Sequence, residues 1–420
     1  MTNTTKITRR DFVALFGVGL AAAATTTRAQ SSGKTYAYVG SWTQGPFGVG
    51  GGGGISVFEV NADDGSLTLL SHTGQEFENL NAGYLCIAPD GEYLYSTNEV
   101  GNLHGEFGGG GGILSFSINR ATGAITHLNT QQSMGVNPAY ISIDLTGSRV
   151  LASNHGDYRP ATTVVEKDGV SVIEKIYDDG TVSMFSVLAD GTLAPASDVV
   201  VLERLGSVDP VSQQSPHAHS VALDPSNSFV VVCDKGADRV YTYRINPESG
   251  TFEDEQFTQT EAGIAPRHPV FHPWLPYIFM TNERGSSVSS YQYDPDTAAL
   301  TFIQQISMIP ADFTERNNPS DIKVHPNGNF VYACNRGHNS VAIYSIDEAS
   351  GMLTLADIVS SGGSIPRGLT FGVSGEHLFV ANQGSNQVVT FVVNPDSGMI
   401  TPTGATADVL KPACVKFLTV

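Results

Sequence analysis

The chain has 420 residues and a formal charge of −19, with 41 acidic against 22 basic residues, 45 glycines and only 15% charged residues. So negative a surface repels nucleic acid and anionic lipid, which excludes binders of either. It also disfavours long-range capture of anionic small molecules, unless their site is locally basic.

The N-terminus stands apart from the rest. MTNTTKITRRDFVALFGVGLAAAATTTRA has a basic start, an apolar run from Phe12 to Ala24 and small residues up to Ala29. This is the plan of a secretory signal, too short and wrongly flanked for a transmembrane span. Thr8-Arg9-Arg10-Asp11-Phe12-Val13 also fits the twin-arginine pattern. The reading expects a signal peptide over 1–29, folded export by the twin-arginine machinery, and a mature domain over 30–420 that is periplasmic or secreted. Without the signal, which holds four basic residues and one acidic residue, 18 basic and 40 acidic residues remain and the charge is −22.

From residue 34 onward the chain is a succession of short runs with period-2 alternation, separated by Gly, Asn, Asp and Pro turns, and helix-period stripes are scarce. Seven endings follow one plan, a strand, a turn and a strand: SVFEVNADDGSLTLL, LSFSINRATGAITHL, VSMFSVLADGTLAP, VYTYRINPESGTFED, VSSYQYDPDTAALTFI, VAIYSIDEASGMLTLA and VVTFVVNPDSGMITPT. The most regular full unit, residues 318–356, contains four strands. A meander of that size cannot bury both faces alone, and it repeats at about 50 residues, the spacing of a propeller blade. The expected fold is all-β, a seven-bladed propeller of four-stranded antiparallel blades. Blade 1 lacks its innermost strand, and PACVKFLTV at the C-terminus has the missing pattern. Pairing it beside TYAYVGS closes the ring and hides two open edges. Cys86, Cys233, Cys334 and Cys414 fall in separate predicted strands without metal-type spacing, so buried free thiols are expected.

In a propeller the residues that enter each inner strand meet at one mouth of the central channel. Here they are Ala82-Gly83-Tyr84, Pro138-Ala139-Tyr140, Pro216-His217-Ala218-His219, Pro266-Arg267-His268, Pro319-Ser320-Asp321 and Pro366-Arg367-Gly368. The turns after the second strands add Glu99, His155, Asp234-Lys235, Glu283-Arg284, Arg336, His338 and Gln383. In a chain with so few charges this concentration marks a candidate site.

At these residues the chain resembles the seven-bladed propeller lactonases, a family that includes propeller-type 6-phosphogluconolactonase and the carboxymuconate-lactonising enzyme. The resemblance runs from YVGSWT at Tyr38 to the end. It is carried by PHAHSVALDP, PRHPVFHP with TNE, NPSDIKVHPNGNFVYACNRGHNSVAIY, and PRGLTF with VANQGSNQVV. Its His-rich and Arg-containing elements match His217, His219, Arg267, His268, Glu283, Arg336, His338 and Arg367. The chain departs from the pattern at Asp321, where Glu is usual, at Gly368, where His is common, and at Lys235, where an apolar residue is common. The Gly runs at 50–54 and 108–112 and an insertion over 158–179 are further departures.

Opening a lactone needs an activated water and stabilisation of the carbonyl oxygen. His219 is the first candidate for general base and Glu283 the second. Arg267 and Arg367 are expected to hold the carbonyl oxygen or a substrate anion. Arg336 and His338 would orient the ring, with His217, His268, Asp321 and Gln383 completing the substrate contacts. No metal or organic cofactor is expected, since His217 and His219 lack an evident third ligand. G-x-S-x-G, H-E-x-x-H and phosphate-loop endings are absent from the sequence. The expected function is an exported hydrolase of a sugar-type lactone. A cycloisomerase of carboxylated muconates and a non-catalytic ligand- or protein-binding propeller are the alternatives. The partner is a small lactone or carboxylate, not nucleic acid or membrane.

Overall fold

The computed structural model describes residues 33–43, 51–74, 77, 80–203, 205, 206 and 208–420. The expected signal peptide therefore lies outside the described residues. Seven four-stranded antiparallel sheets form the body, plus one separate two-stranded hairpin. Thr35–Ser41 pairs with Ile55–Val60 on one side and with Pro412–Thr419 on the other, so both chain ends share blade 1 and close the ring. The C-terminal strand is thus the inner strand of the first blade, as its pattern implied.

Burial explains the composition of each strand. Second strands are packed on both faces by neighbouring blades, so Phe229–Asp234 is buried throughout, whereas the outer strand Leu353–Ser360 is mostly exposed. The apolar core accordingly lies between blades: Tyr332 and Cys334 of blade 6 pack with Leu369 and Val380 of blade 7. Each fully buried aliphatic or aromatic side chain contributes about 1.5–3 kcal/mol to this stack. Tyrosines tie blades together at the outer turns. Tyr36 Oη donates to the Ala121 carbonyl, Tyr277 Oη to Ala349 and Tyr332 Oη to Gly398. The glycine of the repeated turn sits at these contacts with positive φ, as at Gly398 (φ 73°), where a Cβ would strike the Phe330 ring of the preceding blade. All four cysteines are free and buried.

The insertion over 158–179 forms the separate hairpin, Ala161–Lys167 with Val170–Ile176. Among the described residues no helix is long and apolar enough to cross a membrane.

One irregularity recurs where the site forms. Six inner strands carry an extra residue near their start relative to the second strand. The extra residue is Ala139, His219, Arg267, Arg367 or Ala413 in five blades, and in blade 6 the Ser320-Asp321 pair contains it. Such β-bulges re-aim side chains and are favoured at strand ends beside sites.

Candidate active site at one mouth of the channel

The bulge positions, with Gly83 in the matching place of blade 2, form one ring around the channel. Ala413, Gly83 and Ala139 in blades 1–3 and Ser320 in blade 6 are small, while His219, Arg267 and Arg367 are large. A cavity of about 10 Å³ lies among Gly83, Tyr84, Ala139, His219, Arg267, His268, Arg367 and Ala413. That is the room one water needs. The ends of the second strands form the next ring: Trp42, Glu99, His155, Lys235, Glu283, Arg336 and Gln383. Together the two rings carry Arg267, Arg367, Lys235 and Arg336 against Glu99 and Glu283, a locally basic mouth in an acidic protein.

Glu283 sits at the centre of one half. Its Oε1 accepts from Lys235 Nζ at 2.7 Å and its Oε2 from Arg336 Nη2 at 2.9 Å. Arg267 Nε lies 2.8 Å from the same Oε2, a close charge contact whose N–H is not aligned as a hydrogen bond. Burial opposes the charge of Glu283, but Lys235, Arg336 and Arg267 outweigh it and hold the carboxylate well below its usual range. A carboxylate so saturated is a poor proton acceptor and holds its three cations in place. Burial pushes Lys235 down to about 8 against the pull of Glu283. Burial and the nearby Arg336 push Arg267, only 1% exposed, down to about 9.

The histidines divide by their partners. His217 donates from Nδ1 to the His155 carbonyl at 2.7 Å and stacks on the His155 ring at 4.5 Å. His155 donates from Nδ1 to the Gly156 carbonyl at 3.0 Å. Its Nε2 therefore accepts, from Tyr158 Oη at 3.2 Å and with Lys235 Nζ at 3.5 Å. His268 bonds Asp321 Oδ1 through Nδ1 at 3.1 Å and accepts from Arg267 Nη1 through Nε2 at 3.2 Å. These three rings are committed. His219 differs, because its buried Nδ1 has no protein partner and the residue borders the small cavity. Burial, then the charges of Arg267 and Lys235, keep His219 neutral, far below the usual histidine range. Burial likewise lowers His217 to about 4 and, with Arg267, His268 to about 3.

The other half is simpler. Glu99 Oε2 accepts from Trp42 Nε1 at 2.8 Å and meets Arg367 Nη2 at 3.3 Å. The Arg367 guanidinium lies over the Trp42 ring, 4.1 Å from its centroid. Burial raises Glu99 above its usual range despite Arg367 and Trp42.

Several expected residues sit elsewhere than expected. Asp321 is one layer deeper, where Lys323 Nζ at 2.7 Å and His268 hold it ionised against burial. His338 lies away from the cluster, bonded to Ser340 Oγ at 2.8 Å and packed edge-on against Phe313. Its printed partners are thus separate from the network that joins Glu283, Arg267 and Arg336. Gln383 is buried, with Nε2 unpartnered. Lys235, Glu99, His155, Tyr158 and Trp42 join this network without a role expected from the sequence. The first three share one repeat position with Glu283, Arg336 and Gln383, the position that places them in the mouth set. Trp42 holds the same position at the end of the second strand of blade 1, whereas Tyr158 belongs to the insertion and has no repeat partner. Among the described residues no group of three His, Cys, Asp or Glu side chains is placed to hold a metal ion.

Fold and site together define a seven-bladed propeller with a basic, histidine-lined small-molecule site at one channel mouth. The family model described as "Lactonase, 7-bladed beta-propeller" matches residues 36–417. A 6-phosphogluconolactonase of Bacillus subtilis is 30% identical over 389 residues, covering 92% of this chain and 99% of the relative. The solved structure of a periplasmic gluconolactonase of Pseudomonas aeruginosa is 27% identical, with a TM-score of 0.77 over 92% of this chain and 99% of that one. A putative 6-phosphogluconolactonase of Bacteroides fragilis, also solved, is 26% identical with a TM-score of 0.77, covering 94% of this chain and 100% of that chain. The chain belongs to the seven-bladed β-propeller lactonase family, and its named relatives are lactone-hydrolysing enzymes.

Proposed function

We propose that the protein is an exported hydrolase that opens a sugar-type lactone at the basic mouth. The observation that carries this is the water-sized cavity bordered by His219, Arg267 and Arg367, where the His219 ring has a nitrogen, Nδ1, without a protein partner. Neutral His219 takes a proton from a water as the water oxygen attacks the lactone carbonyl carbon. The carbonyl oxygen gains the negative charge, which Arg267 and Arg367 stabilise. When the intermediate collapses, the ring C–O bond breaks and His219 returns the proton to the departing alkoxide. A hydroxy acid results, with no net proton on the enzyme. Glu283, Lys235 and Arg336 position Arg267, while His268, backed by Asp321, fixes it from the other side. His217 supports His155. Gln383 offers a donor to the substrate at the opposite wall.

The twin-arginine pattern of residues 8–13 supports export, and the periplasmic gluconolactonase relative supports an unphosphorylated sugar lactone. Phosphorylated sugar lactones are made inside the cell, so 6-phosphogluconolactone is not the expected substrate of an exported enzyme. The test is pH-indicator hydrolysis of a panel of aldono- and uronolactones by the mature protein beside His219→Ala. Acid release that the variant loses supports the reading, and no release from any lactone overturns it. Product analysis separates a ring opened by water from one formed from a diene.

A further inference from the structure

The channel has a second chamber. Below the bulge ring, Tyr84 and Tyr140 stack at 4.0 Å and both meet the His268 ring edge-on, while His268 bonds Asp321. These four side chains plug the channel at mid-depth. Beyond them, where the inner strands of blades 1–3 run on, lies a cavity of about 340 Å³. That falls within the size range of small-ligand pockets. Its walls are mostly apolar or aromatic, including Ile87, Tyr140, Ile143 and Phe417.

Two polar groups there make no hydrogen bond to the protein. Ser142 Oγ is buried and unbonded. Among the described residues Lys416 Nζ makes no hydrogen bond or ion pair, and rests 4.6 Å from the centroid of the Tyr84 ring. The Asp321 carboxylate, whose charge acts on Lys416, is already shared between Lys323 and His268. Lys416, lowered below its usual range by burial and by the Lys323 ammonium, thus lines the chamber without a paired anion.

We propose that this far-side cavity binds a small monocarboxylate with an apolar body, its carboxylate on Lys416 Nζ and Ser142 Oγ. One ammonium and one hydroxyl match one negative charge. A dianion such as phosphate would bring a second charge to walls that cannot solvate it. The site is separate from the catalytic mouth and does not depend on the reaction assigned there.

The test is calorimetric titration of the mature protein with sodium benzoate, with benzamide as the uncharged isostere and sodium phosphate as the anion without an apolar body. Benzoate is expected to bind one-to-one. Lys416→Met should weaken it about tenfold or more and Ser142→Ala about fivefold, the scale of a charged and a neutral hydrogen bond. Benzamide and phosphate should each bind at least about tenfold more weakly than benzoate. Absence of benzoate binding overturns the proposal, as does unchanged affinity in both variants. Binding lost in His219→Ala but kept in Lys416→Met would place benzoate at the catalytic mouth and also overturns it. If Lys416→Met does not fold, Ser142→Ala alone decides.

Discussion

The two halves of the mouth use the same backbone positions in opposite ways. In blades 4–6 the rings hold His219, Arg267, Lys235, Glu283 and Arg336, and nearly every charge is paired at 2.7–2.9 Å. In blades 1–3 the bulge positions are Ala413, Gly83 and Ala139, and the room they leave is the cavity. One half is a fixed electrostatic wall and the other is space. A repeat fold makes positions equivalent, and a site arises where that equivalence is broken. His219 stands at the boundary, at the bulge position where the small residues give way to large ones, and keeps an unspent nitrogen.

The comparison can be broken outright by removing the open half's floor. Deleting residues 412–420 removes the strand that carries Ala413 and reopens the ring at two edges. We expect loss of cooperative folding, seen as loss of the thermal transition; a truncated protein that melts normally would refute closure. At the boundary, His219→Ala should cut lactone turnover by about 10²–10⁴-fold, the usual worth of a general base. Its urea midpoint should move little, because His219 Nδ1 holds no protein partner.

On the paired half, Glu283→Gln leaves Lys235, Arg267 and Arg336 without their shared carboxylate. Breaking a buried ion cluster from one side costs about 3–5 kcal/mol, and urea unfolding should register it. A loss under about 1 kcal/mol would mean that solvent already screens the cluster. On the open half, Gly83→Ala sets a Cβ against Glu99 Oε2. It should cost about 1–3 kcal/mol by overpacking and raise KM more than it lowers kcat.

The smallest effect is a dependence on pH. His155, His217, His219 and His268 are all held below the ordinary histidine value, His217 to about 4 and His268 to about 3. The unfolded chain therefore binds more protons than the folded one as pH falls from about 6.5 toward 4. Stability should fall through that window, and urea midpoints at pH 7, 5.5 and 4.5 would follow it. The slope should be shallower in His219→Ala, which removes one of the four titrating rings. An unchanged slope would show that His219 is not held neutral in the fold.

Much of this molecule could be read from residue order. Seven strand–turn–strand endings, the orphan strand pattern of PACVKFLTV and the Gly of each outer turn determined the blade count, the closure and the turn positions. Each follows from local alternation and backbone freedom, which neighbouring residues express. The site was legible as a set, because the repeat brings its entry positions to one mouth. Partner choice was not. That Glu283 would be saturated, that Asp321 would sink to the plug with Lys323, and that His338 would turn out toward Phe313 depends on distances between blades far apart in sequence. The bulges decided the rest. One extra residue in an inner strand swings His219, Arg267 or Arg367 into the channel, and a register shift leaves no mark in alternation until the strand beside it is known.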